Sequence, residues 1–345
     1  MKKRMIAVLL SLTLCVGMLS CNEKQESGSK EKPAETSTDV STETETESTE
    51  ETIPESSTYL PTEPETVPPT EVQTEPATQA PTPPSQGAGN GILTDNGKYP
   101  DWESYSNKSI PYGNDWDDKD ETGLPQGVHY YEALYGKTEP VYRIKTDQKL
   151  LYLTMDEGYE AGYTPTILDI LKEKNVKAVF FITKQFFDSD PELVERMIRE
   201  GHIIGNHTCR HPSGGYPRYA DEHGFDTFTE DVQTLHKLVY DRFGYTMKLF
   251  RFPEGEFSEK MLARLRNWGY NSVFWSYAHY DYNRDNQPEV SVTLERCLSH
   301  IAPGAVYLLH AVSSSNTAAL ADFIDGARAA GYEFGVFPAD EVANR

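Results

Sequence analysis

The sequence predicts an α/β fold: a distorted (β/α) barrel of about seven repeats, preceded by a signal segment and a disordered linker. Three observations predict it. From residue 150 onward, short apolar runs alternate with capped helical patterns. Ionisable residues recur where those runs end. Acidity and proline concentrate in a separate N-terminal stretch. Alternation of strand and helix implies parallel strands joined by helical crossovers. Seven repeats either close into a barrel or lie open as a doubly wound sheet. The pattern fits both, and we favour the barrel.

The elements follow in order. Leu150–Met155 reads as a buried strand, and Thr164-Pro165 offers an N-cap and an N1 proline to a helix with Ile167, Leu168 and Leu171 on one face. Lys177–Thr183 is strand-like. Asp190-Pro191 starts a second helix, with Leu193, Val194, Met197 and Ile198 inward and Gly201 as its stop. His202–Gly205 is a short strand, Thr229 caps a helix running to Gly244, and Lys248–Phe252 is a strand. Ser258 caps a helix ending near Gly269, Val273–Ser276 is a strand, and 289–300 is helical. Ala305–His310 is a strand, a helix runs from about Asn316 to Ala330, and Glu333–Phe337 completes the set. Residues 148–345 are therefore expected to form one α/β domain. Residues 92–147, with Trp102, Tyr105, Trp116, Tyr130 and Tyr131 among Asp, Gly, Asn and Pro, read as an irregular extension packed against it.

The chain has 345 residues and a formal net charge of −22. That balance argues against nucleic acid, which needs basic patches to meet phosphates. The charge is unevenly spread. Residues 22–90 hold fourteen Glu, one Asp and three Lys, a net of −12, so the globular part is only moderately acidic at −13. Residues 22–91 are Glu, Thr, Ser and Pro with almost no large apolar side chains. Such a segment cannot bury enough surface to offset its ordering entropy, and its prolines and like charges keep it extended. It is expected to be a spacer.

Residues 1–21 read as a targeting segment. Lys2, Lys3 and Arg4 form a positive n-region, and Met5–Leu19 is an apolar run too short to span a bilayer comfortably. Leu19-Ser20-Cys21 resembles a bacterial lipobox, with Met18 where Leu is usual. It implies cleavage before Cys21, a lipid on its sulfur, and a protein anchored to the membrane on its outer side, facing the cell wall. Cys209 and Cys297 then remain; two Cys make no disulfide scaffold, and they either pair or stay as thiols.

In parallel α/β folds active sites gather where the strands' C-termini point. The first strand is followed by Asp156 and Glu157, the third by Gly205-Asn206-His207-Thr208-Cys209-Arg210-His211. The fourth carries Arg251-Phe252-Pro253-Glu254-Gly255, the fifth is followed by Asp281, and the sixth ends on His310. Each piece alone has an ordinary reading. An acidic pair forms a solvated turn, an Arg a salt bridge, a buried His a satisfied core residue. His207 and His211, at i and i+4, can share one side of a helical turn and suit a divalent metal. The conjunction at equivalent topological points is what speaks for a site.

At these residues the sequence resembles the polysaccharide deacetylases, the NodB-homology group of carbohydrate esterases. Tyr152-Leu153-Thr154-Met155-Asp156-Glu157-Gly158-Tyr159 looks like the family's TFDDG-type first motif. His207-Thr208-Cys209-Arg210-His211-Pro212 matches H-[ST]-x-x-H-P, and Arg251-Phe252-Pro253-Glu254-Gly255 matches R-x-P-x-G. Asp281-Tyr282 stands where the fourth motif has Asp-Trp, and Leu308-Leu309-His310 matches the fifth. Order and spacing agree over roughly residues 145–340. The sequence is most similar to the branch that deacetylates N-acetylmuramic acid in peptidoglycan on the way to muramic δ-lactam. That likeness rests on Asp156–Glu160, Gly162-Tyr163-Thr164-Pro165, Gly201–His207, Val273–Ser276 and Pro303–His310.

The resemblance implies a (β/α) barrel and hydrolysis of an N-acetyl amide on a sugar, with release of acetate. It implies Asp156 as general base, Arg251 as the residue that holds Asp156 ionised, and His310 as the acid for the leaving amine, oriented by Asp281. It implies a divalent metal, zinc with cobalt or manganese as alternatives, on His207, His211 and the residue at position 157. Glu157 is a departure: the common pattern has Asp there, and the muramic branch often Asn. Cys209 occupies a variable position and is expected to be inert. The resemblance further implies a monomer acting on peptidoglycan, with a sporulation role carried over from the muramic branch. Two other readings compete: an N-acetylglucosamine deacetylase, and a wall-binding pseudoenzyme suggested by Glu157.

Overall fold

A computed structural model describes residues 90–343. The expected signal segment, Cys21 and almost all of the linker lie outside the described residues. In chain order the elements are β1 (Ile110–Pro111), α1 (Gln126–Tyr135), β2 (Leu150–Glu157), α2 (Thr164–Glu173), β3 (Ala178–Ile182), α3 (Lys184–Ser189) and α4 (Pro191–Arg199). There follow β4 (Ile203–Asn206), α5 (Tyr216–His223), α6 (Asp226–Phe243), β5 (Leu249–Phe250), β6 (Glu256–Phe257) and α7 (Glu259–Asn267). The last are β7 (Asn271–Ser272), β8 (Tyr277–Ala278), α8 (Val290–Ser299), β9 (Val306–His310), α9 (Ser314–Ala329), β10 (Glu333–Phe334) and α10 (Ala339–Ala343).

The main sheet runs β7-β5-β4-β3-β2-β9-β8, and β10 pairs with the start of β2. All of its pairings are parallel, as the strand–helix alternation predicts. β1 and β6 make a separate antiparallel pair. β7 and β8, at opposite ends of the order, are four residues apart in the chain. Val273 N–H donates to the Phe250 carbonyl on one side, and Ser276 N–H to the Val306 carbonyl on the other, both at 2.8 Å. One stretch, residues 271–278, thus borders both edges and curls the sheet into a distorted barrel.

The expected strand Val273–Ser276 is therefore the crossing between two short strands rather than a strand itself. Its backbone divides its bonds among several partners: Phe274 N–H goes to the Val141 carbonyl, and Arg251 takes the carbonyls of Val273 and Phe274.

Side chains alternate along each strand. Tyr152, Val179, Phe181, Leu249, Val273 and Val306 meet inside the barrel. Leu151, Leu153, Met155, Phe180, Ile182 and Phe250 face outward and pack with Ile167, Leu168, Leu171, Val194 and Met197 of the helices. Each such fully buried aliphatic or aromatic side chain contributes about 1.5–3 kcal/mol. Gly205 falls on the inner face because nothing larger fits: a β-carbon there would lie 2.3 Å from the Phe181 ring.

Ser258 caps α7 as expected, accepting the Met261 N–H at 3.2 Å. Two other caps differ. Thr164 is already inside α2, whose N-cap is Tyr163, and the Glu160 carboxylate accepts the Thr164 N–H. α6 begins at Asp226, so Thr229 lies within its first turn. The extension 92–147 is not wholly irregular, since it contains α1, with Val128 fully buried. Tyr112 of the extension stacks on Tyr142 and touches Phe274 and Trp275. The domain is already anchored at residue 91, where the Gly91 carbonyl accepts a bond from Gln233. Cys209 and Cys297 are both free thiols.

Candidate active site

The C-terminal ends of β2, β4, β5 and β9 open into a cavity of about 830 Å³ lined by Asp156, His207, His211, Trp275, Tyr282 and His310, among others. Asp156 sits on the inner parity of β2 with Tyr152, and its Cα is the register partner of His310 on β9. Its Oδ1 accepts Arg251 Nη1 at 2.9 Å, and its Oδ2 lies 3.4 Å from His207 Nε2. Burial opposes its charge, but Arg251, His207 and His310 together hold the Asp156 carboxyl below the ordinary carboxylate value.

Arg251 has no exposed surface. Its Nε and Nη2 donate to the carbonyls of Val273 and Phe274 at 3.1 and 3.2 Å, and its guanidinium lies 4.1 Å from the Phe181 ring centroid. Four partners fix the group, so it presents one Nη to Asp156 without freedom to swing.

On the other wall, His310 Nδ1 bonds Asp281 Oδ1 at 2.7 Å. Burial alone would lower the His310 pKa, but Asp281, and after it Asp156, raise it above the ordinary value. Asp281 is itself fully buried and held by His310 and by the Asn316 side chain, with His279 Nε2 at 3.6 Å from Oδ2. Burial would raise its pKa, yet His310 and His279 pull its carboxyl well below the usual range. One wall thus carries a fixed anion and the other a cation-prone imidazole whose side chain remains 24% exposed to the cavity.

His207 Nδ1 lies 3.0 Å from the Arg251 carbonyl, which leaves Nε2 toward the cavity with its lone pair. Burial brings its pKa down to about 4, so the ring is neutral. His211 lines the same cavity, the two ring centroids 4.9 Å apart. They do not share a helical turn: Thr208 and His211 have φ of 78° and 44°, so an irregular left-handed turn brings the rings together.

A polysaccharide deacetylase model matches residues 143–273. The peptidoglycan-N-acetylmuramic acid deacetylase PdaA of Bacillus subtilis is 37% identical over 211 residues, 61% of this chain and 78% of that protein. The chain belongs to the polysaccharide deacetylase family. A peptidoglycan-N-acetylglucosamine deacetylase of Bacillus cereus is 28% identical over 196 residues, 56% of this chain and 88% of that protein. The solved structure of Bacillus subtilis PdaA, a family 4 carbohydrate esterase, superposes with a TM-score of 0.61 at 35% identity, covering 66% of this chain and 95% of that one. A family 4 carbohydrate esterase from Bacillus anthracis gives 0.55 at 35% identity, covering 70% and 99%.

In this polysaccharide deacetylase the structure brings together Asp156, Arg251, His207, His211, Asp281 and His310. It does not bring Glu157 to them. Successive residues of a strand point to opposite faces. Glu157 follows Asp156 and so shares the outer parity of Leu151, Leu153 and Met155. It is fully buried, its Oε2 reaches only the Thr164 hydroxyl at 3.4 Å, and its Oε1 has no partner. Burial, and after it Glu160, push its pKa well above the ordinary carboxylate value. Its carboxyl thus lies beneath α2, away from the cavity that His207 and His211 line.

Among the described residues no group of three or more His, Cys, Asp or Glu side chains is placed to hold a metal ion. A catalytic zinc takes three protein ligands, and the two imidazoles alone do not make that set.

Sequence reasoning missed several members of the site. Asp231, buried in α6, accepts the backbone N–H groups of Cys209 and Arg210 and the Arg210 Nη1, the last at 3.1 Å. It ties the turn between the two histidines. Asn316 supports Asp281 from α9. Each acts across more than twenty residues of sequence, with no local signal. Cys209 lines the cavity as a free thiol whose pKa burial raises to about 12.

Proposed function

We propose that this protein is an exported peptidoglycan deacetylase that hydrolyses the acetamide of N-acetylmuramic acid and releases acetate. The observation that carries the reading is one cavity in which the ionised, Arg251-held Asp156 faces the Asp281-supported His310. An acetamide bound in the cavity would present its C–N bond between those two groups. Asp156 takes a proton from a water, whose oxygen attacks the carbonyl carbon. Backbone N–H groups near Arg251–Gly255 would help to stabilise the oxyanion. His310 gives its proton to the nitrogen, the C–N bond breaks, and acetate and a free amine remain. Arg251 keeps Asp156 ionised and aimed.

A divalent ion, zinc or in its place cobalt or manganese, would be held by His207 and His211 alone, so its binding is weak and exchangeable. No step above runs through it. Muramic acid is favoured over glucosamine by Arg210, the one Arg or Lys lining the cavity among the described residues. Its side chain is 45% exposed and tethered by buried Asp231, and the lactyl carboxylate is what distinguishes muramic acid. The lipobox-like Cys21 supports a lipid anchor, with residues 22–91 as spacer and the monomer as working unit.

The full chain is incubated with wall glycan before and after muramidase treatment, acetate is assayed, and the products are mapped by mass. Acetate traced to muramic acid is expected. Acetate from glucosamine alone overturns the substrate assignment, and no acetate overturns the enzymatic reading.

A further inference from the structure

Tyr112, in the N-terminal extension, is 5% exposed and lies where two parts of the reacting centre meet. Its backbone N–H donates to the Gly255 carbonyl at 3.1 Å, which continues the antiparallel pairing of β1 with β6 into the Arg251–Gly255 turn. Its hydroxyl donates to the Trp275 carbonyl. The turn is wedged there. Gly255 has a φ of 70°, and a β-carbon on it would lie 2.9 Å from the Trp275 indole and 3.3 Å from the Tyr112 carbonyl oxygen. One residue thus bonds both the turn that begins at Arg251 and the 271–278 crossing whose carbonyls Arg251 holds.

The hydroxyl acts directly beside the Arg251 acceptors. Arg251 takes the carbonyls of Val273 and Phe274, and the next carbonyl along the chain is the one that Tyr112 takes. Holding it limits how far the preceding peptides can rotate. The Trp275 indole in turn lines the cavity, its ring 5.6 Å from the Arg251 guanidinium. The Tyr112 ring packs on the same segment, edge-on to Trp275 at 5.1 Å and 4.9 Å from Phe274. Asn114 Nδ2 donates to the Tyr112 hydroxyl at 2.8 Å, which leaves the phenolic proton for Trp275. Burial pushes the phenol well above its ordinary pKa, so it stays a donor throughout the working pH range. Tyr142 provides the contrast. It stacks on the same Phe274 at 4.9 Å, but its buried hydroxyl has no partner. The two tyrosines share the packing, and of the two only Tyr112 bonds the crossing through its hydroxyl.

We propose that Tyr112 is a positioning residue for the reaction: its hydroxyl and backbone N–H lock the 251–255 turn to the 271–278 crossing, and that lock aims the Arg251 guanidinium at Asp156. The inference rests on the deacetylase reading above, in which Arg251 keeps Asp156 aimed. It extends that reading to a residue of the extension that acts through Arg251 and Trp275 rather than on substrate.

The test compares the full chain with Tyr112→Phe and Tyr142→Phe, each of which keeps the ring and deletes one hydroxyl. Acetate release from wall glycan gives kcat and KM. Exchange of the Arg251 Nε–H with solvent, followed by NMR of arginine-labelled protein and assigned by its loss in Arg251→Lys, reports on the guanidinium without any substrate. Tyr112→Phe leaves the Trp275 carbonyl without that donor. It should lower kcat about tenfold, as misaimed catalytic groups do, leave KM unchanged and speed the Arg251 exchange several-fold. Tyr142→Phe should change none of the three. Asn114→Ala removes only the bond to the Tyr112 hydroxyl. It should act in the same direction more weakly, and it carries the test if Tyr112→Phe does not fold. Unchanged kcat and exchange in Tyr112→Phe overturn the proposal, even where the melting temperature falls. An equal loss in Tyr142→Phe also overturns it, since packing would then account for both. Faster exchange in Tyr112→Phe, with no acetate from any glycan in the wild type, sinks the enzymatic reading and leaves the hold of Tyr112 on Arg251 standing.

Discussion

Asp281 grips His310 twice: Oδ1 lies 2.7 Å from the imidazole Nδ1, and Oδ2 accepts the His310 backbone N–H at 2.9 Å. The double contact fixes both the tautomer and the ring plane, and places a buried anion where it raises the imidazole's pKa.

The alkaline limb of activity follows from that pair. The acid form of His310 persists above the ordinary imidazole value near 6.5. With Asp281→Asn, only Asp156 is left to oppose burial, and the proton is lost at lower pH. The pH profile of kcat/KM should keep its acid limb while its alkaline limb moves to lower pH, so that the variant loses more activity at pH 8 than at pH 6. An unmoved alkaline limb would show that His310 is not the acid.

Arg251 and Asp156 form a buried pair, and removing one partner strands the other. Arg251→Met should lower stability by about 3–5 kcal/mol in urea unfolding. In protein that remains folded, the acid limb should move up. Asp156 then titrates without its main cationic support, so its base form is lost at a higher pH than in the wild type.

Glu157 gives the opposite sign. Its folded pKa is raised well above the unfolded value. Above the unfolded pKa, near 4.3, the unfolded chain releases a proton that the native state retains. Stability then falls as pH rises, by up to about 1.4 kcal/mol per unit until the folded pKa is reached. Glu157→Gln removes that slope. Melting temperatures across pH 5–8 should show the variant gaining on the wild type as pH rises, with activity retained. Loss of activity together with bound metal would return Glu157 to the ligand role.

Arg210 should set substrate choice. Arg210→Gln is expected to raise KM for muramic-acid substrates about tenfold, a loss within the range of a charge-assisted hydrogen bond, and to leave glucosamine substrates unaffected. Equal effects on both would mean that Arg210 only braces the turn between the histidines.

Two imidazoles hold an ion loosely. Elemental analysis after dialysis against EDTA should find far less than one divalent ion per chain, and added zinc should bind reversibly in competition with a weak chelator. Retention of one ion per chain through that treatment would demand a third protein ligand.

Much of this site was legible because two periodicities agree. The strand–helix alternation put Asp156, His207, Arg251 and His310 at one end of the barrel, and the period of two within strands put them on its inner face. The same period predicts Glu157 on the outer face beside Met155. The expectation of a metal ligand there came from the family motif and ran against the parity. Val273–Ser276 reads as a strand by composition, but its bonds are set by Phe250, Val141 and Val306, which are remote in sequence. Asp231 and Asn316 were invisible for the same reason. A polar residue on a helix announces nothing until the fold brings its partner to it.

Residues 271–278 fasten the ring and also carry part of the reacting centre. Arg251 holds on to the carbonyls of this clasp, and Trp275 and Ala278 line the cavity. Undoing the clasp would slacken Arg251 and scatter the cavity wall in the same movement. Heat inactivation and global unfolding should therefore coincide, with no folded yet idle form between them.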